Sequence, residues 1–383
     1  MAGRIQELTI EAESRQEIDN PYIVGVPLTE RQEIFVGRSD VSVHIEELLL
    51  DQRRSPLLLY GQRRMGKTSL LNNLGRLLPS TIVPLYVDLQ GPASTASDHT
   101  GLLYNIARRM INSADRQRGL VIPPLTREAL AADPFTCFDE WLDEVEQSLG
   151  RRLALLALDE FEALDNAIAR GCFDGDAVLG TLRHLIQHRS RFKVLLSGSH
   201  TLDEVRHWAS YLINAQTVHI GYLQKDEARR LVEQPVQGFA LRYKADASRR
   251  VLELTRGHPF LVQLLCLEIV TLKNEQPPIT RRLAHRADVQ AAVPRALSYG
   301  HLFFTDIENQ ASAAGLVVLR SLAAQGKSAE INPADLLDQF PDENELKKIL
   351  NWLVRRELIE AVGRGYRFQV ELVRRWFAQS HGW

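Results

Sequence analysis

The segment Gly61–Thr68 carries residue types at a spacing that could bind a polyphosphate. It reads Gly-Gln-Arg-Arg-Met-Gly-Lys-Thr, which matches the pattern G-x-x-x-x-G-K-[ST]. The two glycines allow a tight loop whose backbone N–H groups point inward, and the helix expected after it directs a partial positive charge there. Lys67 is predicted to reach the β- and γ-phosphates, and the Thr68 hydroxyl to bind Mg²⁺. A Gly-rich turn that merely connects a strand to a helix is the alternative, and the apolar run before the loop argues against it.

A second candidate is the acidic pair Asp159-Glu160, which follows the apolar run Leu153–Leu158. Beside a phosphate loop, the first acid would hold Mg²⁺ and the second would orient or deprotonate an attacking water. The alternative is that Asp159 caps a helix over Phe161–Ala169. Glu162 is expected to be a solvated acid.

Polar residues also follow the next predicted strand, Phe192–Ser197. The polar residues of Ser197-Gly198-Ser199-His200, Ser199 among them, could sense a γ-phosphate at that strand end, or they could simply form a turn. Four arginines could each act as an arginine finger in a neighbouring subunit, or be solvated surface residues, and the sequence does not choose among them. They are Arg183, Arg189, Arg191 and Arg206.

Elements that could position these residues appear as five β-type runs alternating with helical patterns. The pattern predicts an α/β fold with a parallel five-stranded sheet and helices on both faces. The runs are Ser55–Tyr60, Thr81–Leu89, Leu153–Leu158, Phe192–Ser197 and Thr217–Tyr222. Further helices are predicted over Arg4–Glu17 and Leu202–Ile213.

After residue 224 the pattern changes to helices with no strand between them, which predicts an all-α unit. The helices are Lys225–Gln234, Ala245–Thr255, Pro259–Leu272 and about Thr280–Ala292. Three more helices and a hairpin then predict a winged helix at the C-terminal end. These elements are Ala311–Ala324, Pro333–Phe340, Glu343–Arg356, Ile359–Val362 and Tyr366–Val370. The predicted organisation is an N-terminal extension over 1–34, a core over 35–224, a helical lid over 225–304 and a winged helix over 305–383.

Composition sets limits on the function. The chain has 383 residues, a formal net charge of −2 and three cysteines. A near-neutral chain is not as a whole a polyanion binder, so nucleic-acid contact would need a local basic patch. The cysteines lie far apart, which favours a reducing compartment without structural zinc. The polar N-terminal residues and the absence of a long apolar stretch predict a cytoplasmic protein without membrane contact.

These features together resemble the STAND ATPases, in particular the bacterial and archaeal group called archaeal-type ATPases, which are related to AAA+ proteins. The resemblance extends from Asn20 to Trp376 and rests on short segments in addition to the predicted winged helix. The segments are NPYIVG at 20–25, FVGR at 35–38, LYGQRRMGKTSLL at 59–71, LALDE at 156–160, LLSGS at 195–199 and LTRGHPFLVQLL at 254–265. The resemblance implies ATP or ADP with Mg²⁺ as ligands.

The same resemblance implies the nucleotide contacts outside the loop. Val36 and Arg38 would contact the base or ribose, with Tyr22 and Ile23 as weaker candidates. The element Gly257-His258-Pro259 would be where the lid touches the nucleotide. Locally, Gly257 suits a left-handed helix end and Pro259 a helix start, which would leave His258 exposed; a plain helix–helix turn is the alternative. The residues expected to contact nucleotide are Val36, Arg38, Gly61, Gln62, Arg63, Arg64, Met65, Gly66, Lys67, Thr68, Ser69, Ser199, His258 and Pro259.

The expected function is a slowly hydrolysing ATPase that acts as a molecular switch, with the ATP or ADP state controlling lid and winged helix. Self-assembly in the ATP state is expected, and the short chain indicates either a minimal member or a separately encoded sensor or effector partner. A DNA-binding ATPase of the initiator kind is the alternative. The third predicted helix of the winged helix has only a mild basic bias, which disfavours it. A third hypothesis is a nucleotide-binding scaffold without turnover.

Overall fold

The computed structural model describes residues 16–51, 55–199, 208, 214–326, 330–340 and 342–379. The helix predicted over Arg4–Glu17 lies almost wholly outside the described residues, and the one over Leu202–Ile213 does so except for Trp208. The chain divides into two compact units, Pro27–Gly221 on the one hand and Tyr222–Trp383 with Met1–Val26 on the other.

A parallel five-stranded sheet forms the centre of the unit Pro27–Gly221. Its strands are β1 Leu57–Tyr60, β2 Ile82–Asp88, β3 Leu153–Asp159, β4 Phe192–Gly198 and β5 Gln216–His219. They lie in the order β2-β3-β4-β1-β5, and every neighbouring pair is parallel. Residues Ala154 to Asp159 of β3 and all of β4 are buried, as expected of strands covered on both faces. The predicted five-stranded parallel sheet with flanking helices is therefore confirmed.

Seven described helices flank this sheet. They are α1 Ser39–Leu50, α2 Lys67–Leu77, α3 Gln90–Thr95, α4 His99–Arg118, α5 Pro134–Leu149, α6 Phe161–Ala169 and α7 Gly175–His188. Several begin at an aspartate whose carboxylate accepts from the first turn; Asp98 accepts from Gly101 N, and Asp133 from Thr136 N. The short helix α3 was not predicted, because six residues that include a glycine and a proline show no helical periodicity.

The register brings the carboxyl ends of the central strands to one edge of the sheet. Asp159, the last residue of β3, is paired in register with Asp88 of β2 and with Ser197 of β4. Tyr60, the last residue of β1, is paired with Gly198. Residues that follow β1 and residues that end β3 and β4 are thus neighbours in space, although they lie far apart in sequence.

The second unit is mainly helical. Its helices before residue 312 are α8 Lys225–Glu233, α9 Ala245–Thr255, α10 Pro259–Glu275, α11 Pro278–Arg281, α12 Arg286–Tyr299 and α13 His301–Gln310. The expectation of no strand in this part is wrong, because two two-residue strands, β6 Arg242–Tyr243 and β7 Leu283–Ala284, pair in parallel. Such short strands carry no periodicity that the sequence could reveal.

The single helix predicted over Thr280–Ala292 is also wrong, since α11, β7 and α12 replace it. Helix α12 begins anew after His285, where the Asp288 carboxylate accepts from the His285 N–H at 2.7 Å. This reciprocal cap satisfies the first backbone donors of α12 and so fixes its start.

The C-terminal part contains α14 Ala313–Ala324, a 3₁₀ helix over Pro333–Gln339, α15 Glu343–Arg355, the strands β8 Ile359–Val362 and β9 Gly365–Phe368, and α16 Glu371–Gln379. The two strands form an antiparallel hairpin. Helix α15 buries Leu346, Leu350 and Leu353, whose spacing places them on one face of the helix. None of the described helices is long and apolar enough to cross a membrane.

Candidate nucleotide-binding site

The loop between β1 and α2 has the backbone conformation that a phosphate cradle requires. Gly66 has φ 90° and Arg64 has φ 64°, so both lie in the left-handed region. Left-handed residues between ordinary ones turn successive N–H groups toward one side of the chain. Gly61 packs against the Ile220 carbonyl, where a Cβ would collide with the backbone. Among the predicted loop contacts, Met65 is buried, Gln62 is half-buried and Arg63 is exposed.

The Lys67 side chain lies inside this loop. Its Nζ donates to the Gly61 carbonyl at 2.7 Å and to the Gln62 carbonyl at 2.9 Å, and only 5% of the residue is exposed. Burial lowers the pKa of the ammonium, and the carboxylates of Glu160 and Asp159 oppose this shift. The cation is therefore held among acceptors where an anionic partner would stabilise it further.

Asp159 is the most extensively bonded side chain of the site. Thr68 Oγ1 donates to its Oδ2 at 2.7 Å, and Ser197 Oγ donates to its Oδ1 at 2.6 Å. Tyr86 OH donates to Oδ2 over a longer 3.4 Å. Burial raises the pKa of the carboxyl, while the bonds from Ser197 and Thr68 lower it. Both oxygens are engaged with side chains, so Asp159 is not the cap of α6; Glu160 precedes that helix instead.

The pair Thr68 and Asp159 fits Mg²⁺ by its chemistry. A hydroxyl oxygen and a carboxylate oxygen already lie 2.7 Å apart, and such hard oxygen donors are the ligands this ion prefers. Groups of three or more His, Cys, Asp or Glu that could hold a metal are absent from the described ranges. Magnesium sites commonly use one or two protein ligands together with water and substrate phosphates.

Two glutamates lie next to Asp159 with different surroundings. Glu160 has φ 52°, and burial together with the charges of Asp159 and Glu162 raises its pKa. Glu162, expected to be solvated, is not: its Oε1 accepts from Ser199 N at 2.5 Å. The space for this carboxylate exists because Gly198 has no side chain, and a Cβ there would overlap it. The expectation of a solvated Glu162 was wrong because a residue in the first turn of a helix is exposed only where no strand end packs against it.

Ser197 and Ser199 make different contacts at this edge of the sheet. Ser199, the predicted γ-phosphate sensor, lies at this edge with its backbone N–H on Glu162. Ser197, one of the polar residues predicted at this strand end, and Tyr86, which the sequence did not indicate, both donate to Asp159. Pairing β4 with β3 in parallel would have placed Ser197 beside Asp159, so the strand order was the missing information.

The residues before β1 are placed partly against the loop. Arg38 is 4% exposed; its Nη1 donates to the Gly221 carbonyl at 2.7 Å and its Nη2 to the Met65 carbonyl at 2.6 Å. Ser69 Oγ accepts from Leu28 N at 3.0 Å. Val36 is half-buried. The structure thus brings Arg38 to the loop backbone, and its contact with a base or ribose stays a prediction.

His258 and Pro259 lie in the other unit, which contains Tyr222–Trp383. Pro259 opens α10, after left-handed residues at Arg256 (φ 52°) and Gly257 (φ 76°). The expectation that His258 is exposed is wrong: it is 2% exposed, with the ring of Phe303 at 5.4 Å. The rings of Tyr222 and Phe260 lie within 6.4 Å. Two of these aromatic residues, Tyr222 and Phe303, are distant in sequence, so no local pattern reveals that the imidazole is covered.

Tyr22 and Ile23, the weaker base candidates, also pack within that helical unit. Tyr22 is 5% exposed, and its OH donates to the Val232 carbonyl at 3.0 Å and to the Leu231 carbonyl at 3.2 Å. Ile23 N donates to Gln263 Oε1 at 3.2 Å. These bonds secure the segment to α8 and α10.

Of the arginine-finger candidates, Arg189 has a structural role. It is 7% exposed and pairs with Asp139 at 2.7 Å, Asp143 at 2.8 Å and Glu146 at 3.5 Å. Three carboxylates of α5 thereby bind the residue that follows α7. Arg183 is exposed, Arg191 is half-buried, and Arg206 lies outside the described residues.

Comparisons with known proteins agree with this geometry. Residues 50–205 match the family model described as an AAA domain. The Walker-type ATPase of Pyrococcus abyssi is similar in structure, with a TM-score of 0.64 at 17% identity over 92% of this chain and 99% of that one. The ORC2 protein of Aeropyrum pernix has a TM-score of 0.54 at 16% identity over 94% of this chain and 97% of that one. None of the curated proteins matches the sequence.

At such identities the two structures show the likeness of fold alone. The loop Gly61–Thr68 lies within the residues that match the family model, and together they define the class of the first unit, which contains an ATPase-type P-loop domain.

Proposed function

We propose that the chain binds ATP with Mg²⁺ at Gly61–Thr68 and hydrolyses it slowly, as a switch of the STAND type. One observation carries this proposal. Asp159, at the end of β3, accepts from the Thr68 hydroxyl at 2.7 Å, with Lys67 buried in the loop alongside. A buried acid, a hydroxyl and a buried ammonium gathered at one sheet edge are the groups that a site for a metal and phosphates needs.

Substrate binding follows from the loop. Lys67 Nζ exchanges the Gly61 and Gln62 carbonyls for the more basic phosphate oxygens. An ammonium whose pKa is lowered by burial gains more from an anion than a solvated one would. The N-terminus of α2, which begins at Lys67, adds its backbone donors to the same phosphates.

The metal site would use Thr68 and Asp159. When bound, Mg²⁺ supplies charge neutralisation across the β- and γ-phosphate oxygens. Ser197 and Tyr86 donate to Asp159 and so hold its carboxylate toward Thr68. These two side chains are positioning residues for the metal ligand.

Hydrolysis would use Glu160 next to Asp159. Its carboxylate orients the attacking water and accepts the proton as the oxygen bonds to the γ-phosphorus, and the bond to the ADP oxygen breaks. Ser199 at the end of β4 would sense the γ-phosphate through the polar edge that Glu162 organises. Val36, His258 and Pro259 as nucleotide contacts belong to this proposal.

The switch part of the proposal concerns the remaining segments. We assign residues 225–304 to a helical lid, 305–383 to a winged helix and 1–34 to a segment around the adenine, with 35–224 as the core. The helices α14 and α15 with the hairpin β8–β9 support the winged-helix assignment. ATP and ADP can shift such an equilibrium only by the difference in their affinity for its two states. Assembly in the ATP state, with a separate sensor or effector protein as partner, completes the proposal.

Two measurements test this function. Replacing Glu160 by Gln should lower phosphate release about a hundredfold or more while ATP binding persists; a wild type as slow as the variant would leave a binding protein without turnover. The mass of the purified protein in solution should increase with a non-hydrolysable ATP analogue relative to ADP. The same mass in both nucleotides would contradict the switch.

A DNA-binding ATPase is the second candidate, supported by the similarity of fold to the ORC2 protein. The charges disfavour it. Lys347 pairs with Glu343 at 2.8 Å and Arg367 with Glu360 at 2.7 Å, so these basic groups are already neutralised locally. Duplex binding measured at two salt concentrations separates the candidates, because real phosphate contacts give a steep salt dependence.

A further inference from the structure

Arg38 makes two contacts that a residue reading the base would not need. Its guanidinium is almost fully buried and donates to the carbonyls of Met65 and Gly221 at 2.6 and 2.7 Å. Arg38 itself has φ 68° and immediately precedes α1. A non-glycine residue in the left-handed region costs free energy, so the surrounding structure must hold this side chain in place.

The bond to Met65 fixes the direction of a loop donor. In a trans peptide unit the C=O and the following N–H point in opposite directions. Because the Met65 carbonyl points to Arg38, the Gly66 N–H of the same unit points away from it. Gly66, at φ 90°, is the glycine that opens the loop into α2, and its N–H belongs to the predicted phosphate cradle.

The bond to Gly221 supplies the fixed point for this orientation. Ile220, the preceding residue, donates its N–H to the Tyr60 carbonyl at 2.9 Å, and Gly61 packs against the Ile220 carbonyl. The Gly221 carbonyl is therefore held next to the end of β1. A planar guanidinium with several donors can hold two acceptors in one fixed arrangement, whereas an ammonium cannot fix both in the same way.

We propose that Arg38 is a positioning residue for the polyphosphate: it orients the Met65–Gly66 peptide so that the Gly66 N–H faces the phosphates, and it does not read the base. This inference rests on the proposed nucleotide binding and deepens it. It differs from the base or ribose contact implied by the resemblance to STAND ATPases. Arg38 therefore contributes to the affinity for any ligand with β- and γ-phosphates, whatever base it carries.

The test compares ligands with and without a base. ATP, GTP and inorganic tripolyphosphate, each with Mg²⁺, compete against a fluorescent ATP analogue on the wild type and on Arg38→Ala. AMP, which lacks the β- and γ-phosphates, is the ligand control. Arg31→Ala, at an exposed position, is the matched variant. Melting temperatures establish that each variant is folded at the temperature of the titration.

Arg38→Ala should weaken ATP and tripolyphosphate by the same factor, about ten- to hundredfold, the usual contribution of a hydrogen bond from a charged group. AMP binding should change less than about twofold, whereas general loss of structure would weaken AMP as well. Arg38→Lys should lie between wild type and Arg38→Ala, and it decides the matter if the alanine variant does not fold.

Weaker ATP binding with unchanged tripolyphosphate binding would overturn the inference in favour of a base contact. Equal affinities in wild type and variant would overturn it too. A wild type that binds neither ligand would instead refute the proposed function, so the two failures are distinguishable.

Discussion

Ser197 offers a sharp test of how Asp159 is held, because its side chain makes one strong contact at the site. Ser197 is fully buried in β4, and its hydroxyl donates to Asp159 Oδ1 at 2.6 Å. Ser197→Ala removes that donor and leaves almost no cavity. Asp159 keeps Thr68 at 2.7 Å and the longer bond from Tyr86.

The magnitude follows from the burial of both partners. A hydrogen bond to a charged group contributes about 1.5–3 kcal/mol, and each ~1.4 kcal/mol corresponds to a tenfold change in affinity, so the expected effect is about one to two tenfold steps. Side chains that orient a metal ligand typically change metal affinity or activity by about 10–100-fold when replaced. We therefore expect the Mg²⁺ concentration for half-maximal phosphate release to rise about 10–100-fold in Ser197→Ala.

The assay is phosphate release at saturating ATP as a function of Mg²⁺, with binding of a fluorescent ATP analogue measured in parallel. Ser42→Ala is the matched control, because Ser42 is a buried serine of the same unit that donates to the Ser39 carbonyl at 3.0 Å. The control should lower the free energy of unfolding without a change in Mg²⁺ requirement. An unchanged Mg²⁺ requirement in Ser197→Ala, or an equal rise in the control, would refute the reasoning.

Two further predictions concern acidic groups. Glu162→Ala should lower the free energy of unfolding by about 1–3 kcal/mol in urea titrations, because the Ser199 N–H loses a charged acceptor; a fully solvated Glu162 would give no change. Glu360→Gln should cost about 1 kcal/mol at neutral pH. Hydrogen bonds from Arg256 and Arg367 lower the pKa of that carboxyl, so its stabilisation is present above the unfolded-state pKa. The difference between Glu360→Gln and wild type should vanish as pH falls through the depressed pKa, and a constant difference would contradict the ion-pair explanation.

The sheet could be predicted because its determinants are local. Each central strand is a short apolar run, and the loop pattern at Gly61–Thr68 fixes where β1 ends and α2 begins. The acidic pair at the end of Leu153–Asp159 gave the second half of the site in the same way. The residues expected to bind phosphate and metal lie in two short consecutive segments, so a single sequence is enough to predict them.

The remaining parts of the site depend on partners that leave no local pattern. Arg38 bonds main-chain carbonyls 27 and 183 positions away, and every residue carries such a carbonyl. Glu162 is half-buried and not solvated because Gly198 on another strand leaves room for its carboxylate. The contact of Ser197 with Asp159 could be derived only from the strand order, which places β4 beside β3. Tertiary neighbours, not residue types, decided these three roles.

The claim on which the account depends is that Lys67 binds a polyphosphate within the loop, and calorimetric titration of ATP with Mg²⁺ tests it most directly. Lys67→Ala should lower ATP affinity about ten- to hundredfold or more, since a charged hydrogen-bond donor is lost. Lys193→Ala is the control, because that lysine is also buried and donates to a main-chain carbonyl, Asp51 O, at 2.9 Å; it should bind ATP as the wild type does. A Lys67→Ala variant that binds ATP as tightly as the wild type would contradict the account.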